Sequence, residues 1–135
     1  MCGIAGFLDL KRQTGAEGLA SQAKAMGGAQ IHRGPDSGGV WTDAAAGIAL
    51  SFRRLAIIDL SPAGDQPMVS ANGRFALAFN GEIYNFKELR DDLETGGHRF
   101  RGDSDTEAML EGFAAWGVEA TVARLIGMFA FALWD

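Results

Sequence analysis

Cys2 is the only cysteine of the chain, and it stands directly behind the initiator methionine in MCGIAGF. Removal of Met1 would put a thiol and a free α-amine on one residue. An α-amine titrates at about 7.7–8.0, far below a lysine amine, so at neutral pH part of it is unprotonated. It can then act as base toward its own side chain, which as a thiol is only weakly ionised at pH 7. Gly3 and Ala5 are small and leave such a terminus room for a substrate. The competing reading is a buried small hydrophobe, the usual fate of a free cysteine. A second chemical element is Asn80-Gly81, which offers a side-chain N–H₂ and an unhindered backbone N–H, the donors that a developing oxyanion needs. The same dipeptide is also a turn signal. A third is the pair Arg53-Arg54 in SFRRLAI. Strand alternation sends the two to opposite faces, so one can meet a substrate while the other meets solvent. A guanidinium fork suits a carboxylate.

Other chemistries find little support. His32 and His98 are the two histidines, too far apart in sequence to form a ligand cluster, and no metal site is expected. SGGV resembles the start of a pyrophosphate loop, but Trp41 and Thr42 stand where Asp and Ser belong, and no P-loop pattern occurs. The net charge of −5 and the lack of a basic run argue against nucleic acid and anionic membranes as partners. Asp9 interrupts the N-terminus before any apolar signal region, and the longest apolar stretch, near Met128 to Trp134, is too short to span a bilayer. One cysteine suits a reducing compartment, and a cytoplasmic location is expected.

The elements that must position these groups are readable in outline. With 135 residues, 47% hydrophobic and 21% charged, the chain is one globular domain. Cys2 to Leu10 reads as a short buried strand. Leu19, Ala23 and Met26 recur at helical spacing within Ala16 to Gln30. IHRGPDSGG reads as a loop and GIALSFRRLAIID as mostly strand. Asn72-Gly73 predicts a type I′ hairpin turn, followed by a strand on which Phe75, Leu77 and Phe79 alternate with Ala76, Ala78 and Asn80. Asn85 with Glu88, and Ser104 with Glu107, read as capping boxes, and Gly96-Gly97 and Gly117 as the matching stops. A short helix follows over Val118 to Leu125. GMFAFALW is apolar on both faces, which predicts a strand covered on both sides. Strands that precede, separate and follow the helices fit an α+β layered sandwich.

In this order, CGIAGF, HRGPDSGG, RRLAIIDLSPAGDQPM, FNGEIYNFKELR and GDSDTEAML resemble the glutaminase domain of glutamine-dependent asparagine synthetases, a class II glutamine amidotransferase. Other class II amidotransferases also begin with Cys-Gly, but the HRGPD and NGEIYN forms point to the asparagine synthetase branch. The resemblance implies a four-layer α/β/β/α N-terminal-nucleophile sandwich of two mainly antiparallel sheets. It also implies hydrolysis of L-glutamine to glutamate and ammonia through a cysteine thioester, without a metal or organic cofactor. By that resemblance Cys2 is the nucleophile, and Asn80 and Gly81 form the oxyanion hole. Arg54 holds the substrate carboxylate, the backbone of Leu55, Ala56, Ile57 and Ile58 lines the pocket together with Glu82, and Asp105 holds the ammonium. Asp103 is the nearby alternative, and Asp105 can also be read as a helix-start acid favoured by the dipole. Arg33 to Asp36 would be a structural turn bordering the site. The family usually has glutamate where this chain has Arg53, a departure that leaves Arg54 matched. Ammonia would pass to a synthetase domain, which needs ATP and magnesium and is absent from these residues. Family domains also continue past the strand matching MFAFALWD, so a chain truncated at its C-terminus, with an exposed apolar edge at Met128 to Trp134, is expected. That edge leaves homo-oligomers open. The rival reading is a catalytically incompetent fragment acting only as a binding or association module.

Overall fold

The computed structural model of the chain describes residues 1–57 and 60–135. Two three-stranded antiparallel sheets carry the fold. The first has the order β1-β3-β2, from β1 (Gly3–Leu8), β2 (Ser37–Asp43) and β3 (Ile48–Arg54). The second has the order β4-β5-β6, from β4 (Met68–Val69), β5 (Ala76–Ile83) and β6 (Gly127–Trp134). Helix α1 (Ala16–Gly28) lies on the first sheet, against β1, β2 and β3. Helices α2 (Phe86–Thr95) and α4 (Val118–Val122) both pack on α3 (Asp105–Trp116), and α3 lies against β4 and β5. Strand β5 touches both β1 and β3, so the sheets face each other. The layers therefore run helix, sheet, sheet, helices, the α+β sandwich expected.

The main core lies between β5 and α3. Phe75, Leu77, Phe79, Met109, Leu110 and Phe113 are all essentially buried there. Phe75 and Phe113 meet edge to face with centroids 6.2 Å apart. The first sheet is covered more thinly, by Leu19 and Ala23 of α1 on Ala49.

Several elements differ from the expectations in ways that have physical causes. Strand β1 is half-exposed instead of buried, because it is the edge of its sheet and Leu8 lies open. Strand β2 starts at Ser37, so Gly38 and Gly39 of HRGPDSGG are in the sheet while Gly34 stays in the turn before it; a Cβ on Gly39 would run into the Gln66 carbonyl. The 70–75 hairpin forms, but only Gly73 has positive φ (72°), so the turn is not type I′. Asn72 instead accepts from Arg74 N and Ser70 Oγ through Oδ1, a local arrangement that Asn favours. The Asn85 cap fails because its side chain ties the chain before β6: Nδ2 donates to the Arg124 carbonyl and Oδ1 accepts from Ile126 N. Ser104 does cap α3, accepting from Glu107 N at 3.2 Å. Glu107 reaches past the cap to Arg101 N and Gly102 N, extending the capping into the preceding loop. Strand β6 is not covered on both faces. It is the edge of its sheet, and Met128 is 66% exposed.

Candidate active site

Cys2 precedes β1, and the antiparallel register that sets Gly3 beside Arg53 brings the thiol to the end of β3. There Leu55 N donates to Sγ at 3.4 Å, and the thiol donates to the Leu55 carbonyl at 3.6 Å. Arg33 Nε donates to the Cys2 carbonyl at 3.1 Å, and Asp36 Oδ2 accepts from Ala56 N at 2.8 Å. The turn from Arg33 to Asp36 thus buttresses both the Cys2 backbone and the segment after β3.

Arg53 and Arg54 divide as strand alternation requires. Arg53 donates to the carbonyls of Gly34 and Pro35 in the same turn. Arg54 is buried, and its guanidinium donates to Asp65 Oδ1 and to the Ser61 carbonyl, both at 2.9 Å. A guanidinium held by protein oxygens is fixed in direction before any ligand arrives.

From the second sheet, β5 carries Asn80 and Gly81, paired with Ala130 and Phe129 of β6. Glycine at 81 is required by β6 itself: a Cβ there would collide with the Met128 carbonyl and the Phe129 backbone. This constraint accompanies the openness to substrate expected of a glycine. Asp105 is buried at the first position of α3. Its Oδ2 accepts from Ile83 N at 3.0 Å and its Oδ1 from Thr106 N at 2.8 Å. Burial pushes the Asp105 carboxyl above its ordinary value; bonds from Ile83 and Thr106 pull it back, and the charge of Glu82 adds to the upward push. Asp103 points away, 89% exposed and paired with Arg90. The helix-start reading of Asp105 holds for its backbone bond to Thr106, while the bond to Ile83 ties it to β5.

These groups share one cavity of about 370 Å³. Cys2, Arg54, Leu55, Ile57, Asn80, Gly81, Glu82 and Asp105 all line it. Ala56 is not among the lining residues, and Ile58 lies outside the described residues. A thiol, amide donors, a fixed cation and a buried anion around one space of that size match a small zwitterion bearing a reactive carbonyl. Met1 also lines the cavity, and while it is attached Cys2 has an amide nitrogen in place of an amine. No group of three or more His, Cys, Asp or Glu suited to a metal occurs among the described residues.

A family model described as a glutamine amidotransferase domain matches residues 1–135. The chain belongs to the glutamine amidotransferase domain family. A Mycobacterium bovis protein carried under the name of a glutamine-hydrolysing asparagine synthetase is 45% identical over 146 residues, covering 100% of this chain and 22% of its own. Asparagine synthetase (glutamine-hydrolysing) 1 of Bacillus subtilis is 41% identical over 138 residues, with 100% and 21% covered. The solved glutamine phosphoribosylpyrophosphate amidotransferase of B. subtilis superposes with a TM-score of 0.57 at 25% identity, over 69% of this chain and 23% of that one. The amidotransferase domain thus spans about a fifth of the length of the curated relatives it matches. None of the helices among its described residues is long and apolar enough to cross a membrane.

The cavity of this amidotransferase domain also has lining residues that pattern reading missed. Gln66, Ser104 and Thr106 contribute from the strap before β4 and from the start of α3, and Met128, Phe129 and Ala130 from β6. Gln66 and Thr106 lie inside SPAGDQPM and GDSDTEAML, so the motifs marked their segments without marking the side chains. The β6 residues carry no chemical signal, since they enter the wall through strand pairing alone.

Proposed function

We propose that the domain hydrolyses the side-chain amide of L-glutamine to glutamate and ammonia through a γ-glutamyl thioester on Cys2. The observation that carries this reading is the meeting of Cys2, Arg54, Asn80, Gly81 and Asp105 around one cavity. Once Met1 is gone, the Cys2 amine takes the thiol proton, directly or through a water. The thiolate attacks the amide carbon, and Asn80 and the Gly81 N–H hold the resulting oxyanion; one such donor is worth roughly 3–4 kcal/mol. The protonated amine returns its proton to the departing nitrogen, ammonia leaves, and water hydrolyses the thioester. Arg54 grips the α-carboxylate and Asp105 the α-ammonium, while Leu55, Ile57 and Glu82 shape the wall. Asp105 must be ionised for its part, although burial favours its neutral form. The chemistry calls on no cofactor.

Because the matched relatives bear asparagine synthetase names and are far longer, the ammonia acceptor proposed is a separate synthetase domain, where ATP and magnesium would be used. A second reading, an association module without turnover, draws on the open edge of β6. Replacement of the nucleophile separates the two. Cys2→Ala should abolish glutamate release and leave the circular dichroism spectrum unchanged, and Cys2→Ser should retain at most a trace. Parental turnover in Cys2→Ala would end the thioester reading.

A further inference from the structure

Three parts of the proposed site come from three separate elements: Arg54 from β3, Asn80 and Gly81 from β5, and Asp105 from α3. Something must hold them at the spacing of one substrate. The strap from Ser61 to Gln66 touches all three. Its Ser61 carbonyl and Asp65 receive Arg54, and Ser37 Oγ donates to Asp65 at 2.9 Å. Gln66 does the rest with a single buried amide. Its Oε1 accepts from Phe79 N at 2.6 Å, the residue directly before Asn80. Its Nε2 donates to Thr106 Oγ1 at 3.3 Å, the residue directly after Asp105.

The reason a side chain does this lies in the ladder. Strand β4 pairs Met68 with Leu77, and the same register, continued two positions, would set residue 66 opposite Phe79. Pairing stops there, with Pro67 unable to donate an N–H. The Phe79 N–H is left facing a missing strand, and the Gln66 side chain replaces the backbone partner. At its other end the amide fixes the sense of a hydroxyl. Thr106 Oγ1 receives the Gln66 donor, and its own proton points to Asp105 Oδ1 at 3.4 Å. A continuous chain of hydrogen bonds therefore runs from the oxyanion strand to the buried carboxylate, and Gln66 is its central link.

We infer that Gln66 is a positioning residue, which sets the distance between the Asn80-Gly81 donors and the Asp105 carboxylate and so couples recognition of the substrate's α-ammonium to attack on its amide. This rests on the glutamine reading above. It requires Gln66 to affect glutamine more than an otherwise similar amide that lacks the ammonium. A residue needed only for folding would affect both alike.

The test uses the full protein as its gene encodes it, freed of Met1, with L-glutamine and glutaramate, the same chain without the α-amine. Gln66→Leu removes both hydrogen bonds. Gln66→Glu keeps the acceptor for Phe79 N and loses the donor to Thr106, which retains a folded sample if the leucine variant unfolds. Both should lower the ratio of kcat/KM for glutamine to that for glutaramate by about tenfold, the upper end of what one neutral hydrogen bond contributes. Amide exchange at Phe79 should quicken in Gln66→Leu and stay slow in Gln66→Glu. A parent that hydrolyses no glutamine would overturn the glutamine reading itself. An active parent whose variants lose both substrates equally, or lose neither, would overturn the role of Gln66 alone.

Discussion

The two halves of the sandwich are built to different standards. The half containing β5 and α3 buries a continuous set of large side chains, with Leu77, Phe113 and Met109 essentially sealed from solvent. The half containing β3 and α1 has Leu19, Ala23 and Ala49 as its own cluster, with Phe7 partly buried against it. Yet each half supplies part of the candidate site. The thin half brings Cys2 and Arg54, and the thick half brings Asn80, Gly81 and Asp105. Apolar area removed from water is the main stabilising quantity, so the thick half is the anchor. The thin half carries Cys2 just before its edge strand β1, and polar bonds add to the burial of Leu50 and Phe52 on β3. Arg33 to the Cys2 carbonyl, Arg53 to the turn at Gly34, and Arg54 to Asp65 are among these polar ties.

The largest expected effect tests that contrast in stability. Phe113→Ala should cost about 3–5 kcal/mol, since the ring is fully packed between Phe75 and Phe131 and leaves a cavity. Leu19→Ala should cost less, about 2–3 kcal/mol, because the thin cluster around it can close up more readily. Urea unfolding of the two variants measures both, and a larger loss for Leu19→Ala would reverse the contrast.

Recognition gives the next test. Arg54→Ala should lower kcat/KM for glutamine by about 2–5 kcal/mol, chiefly through KM, as expected when one partner of a buried charge pair is removed. Arg53→Ala loosens only the turn at Gly34 and Pro35 and should cost about 1 kcal/mol or less. Steady-state kinetics showing the opposite order would mean that the cation from the thin half is Arg53.

The anion from the thick half predicts a pH dependence. Burial raises the Asp105 carboxyl, so it takes up a proton at a higher pH than an ordinary aspartate on acidification. Glutamine kcat/KM should therefore begin to fall at a pH above the usual carboxylate range. Stability should move the other way. A raised carboxyl binds its proton more tightly in the folded state, so its contribution favours folding at low pH and is lost as pH rises through the folded value. Asp105→Asn should remove that stability trend along with the affinity for glutamine. The smallest effect concerns the hairpin that opens β5. Gly73→Ala places a Cβ in a left-handed turn with open space around it, and should cost about 1 kcal/mol without touching activity.

The same contrast explains what could be read from residues alone. Cys2, Asn80, Gly81, Arg54 and Asp105 sit in dense local motifs, and the alternation that separated Arg53 from Arg54 follows from strand geometry. The helices of the thick half were equally readable, because Ser104, Gly97 and Gly117 mark their ends by local chemistry. What could not be read depends on pairing between distant segments. Asn85 looks like a cap until Arg124 and Ile126 claim its side chain. The apolar run of β6 looks like a covered strand until its place at the sheet edge is known. Gln66 looks like a loop residue until the ladder between β4 and β5 is seen to stop beside it.

The state of the N-terminus tests the central claim most directly. Cys2 can serve as its own base only after Met1 leaves, and Met1 otherwise occupies the cavity wall. Intact mass and glutamate release should be measured on the same two samples of the full protein, one made normally and one made with methionine aminopeptidase blocked. The normal sample should lack one methionine and release glutamate. The blocked sample should keep Met1 and release none, although every other site residue is present. Normal turnover by a fully Met1-retaining protein would contradict the α-amine mechanism and the reason given for the position of the cysteine.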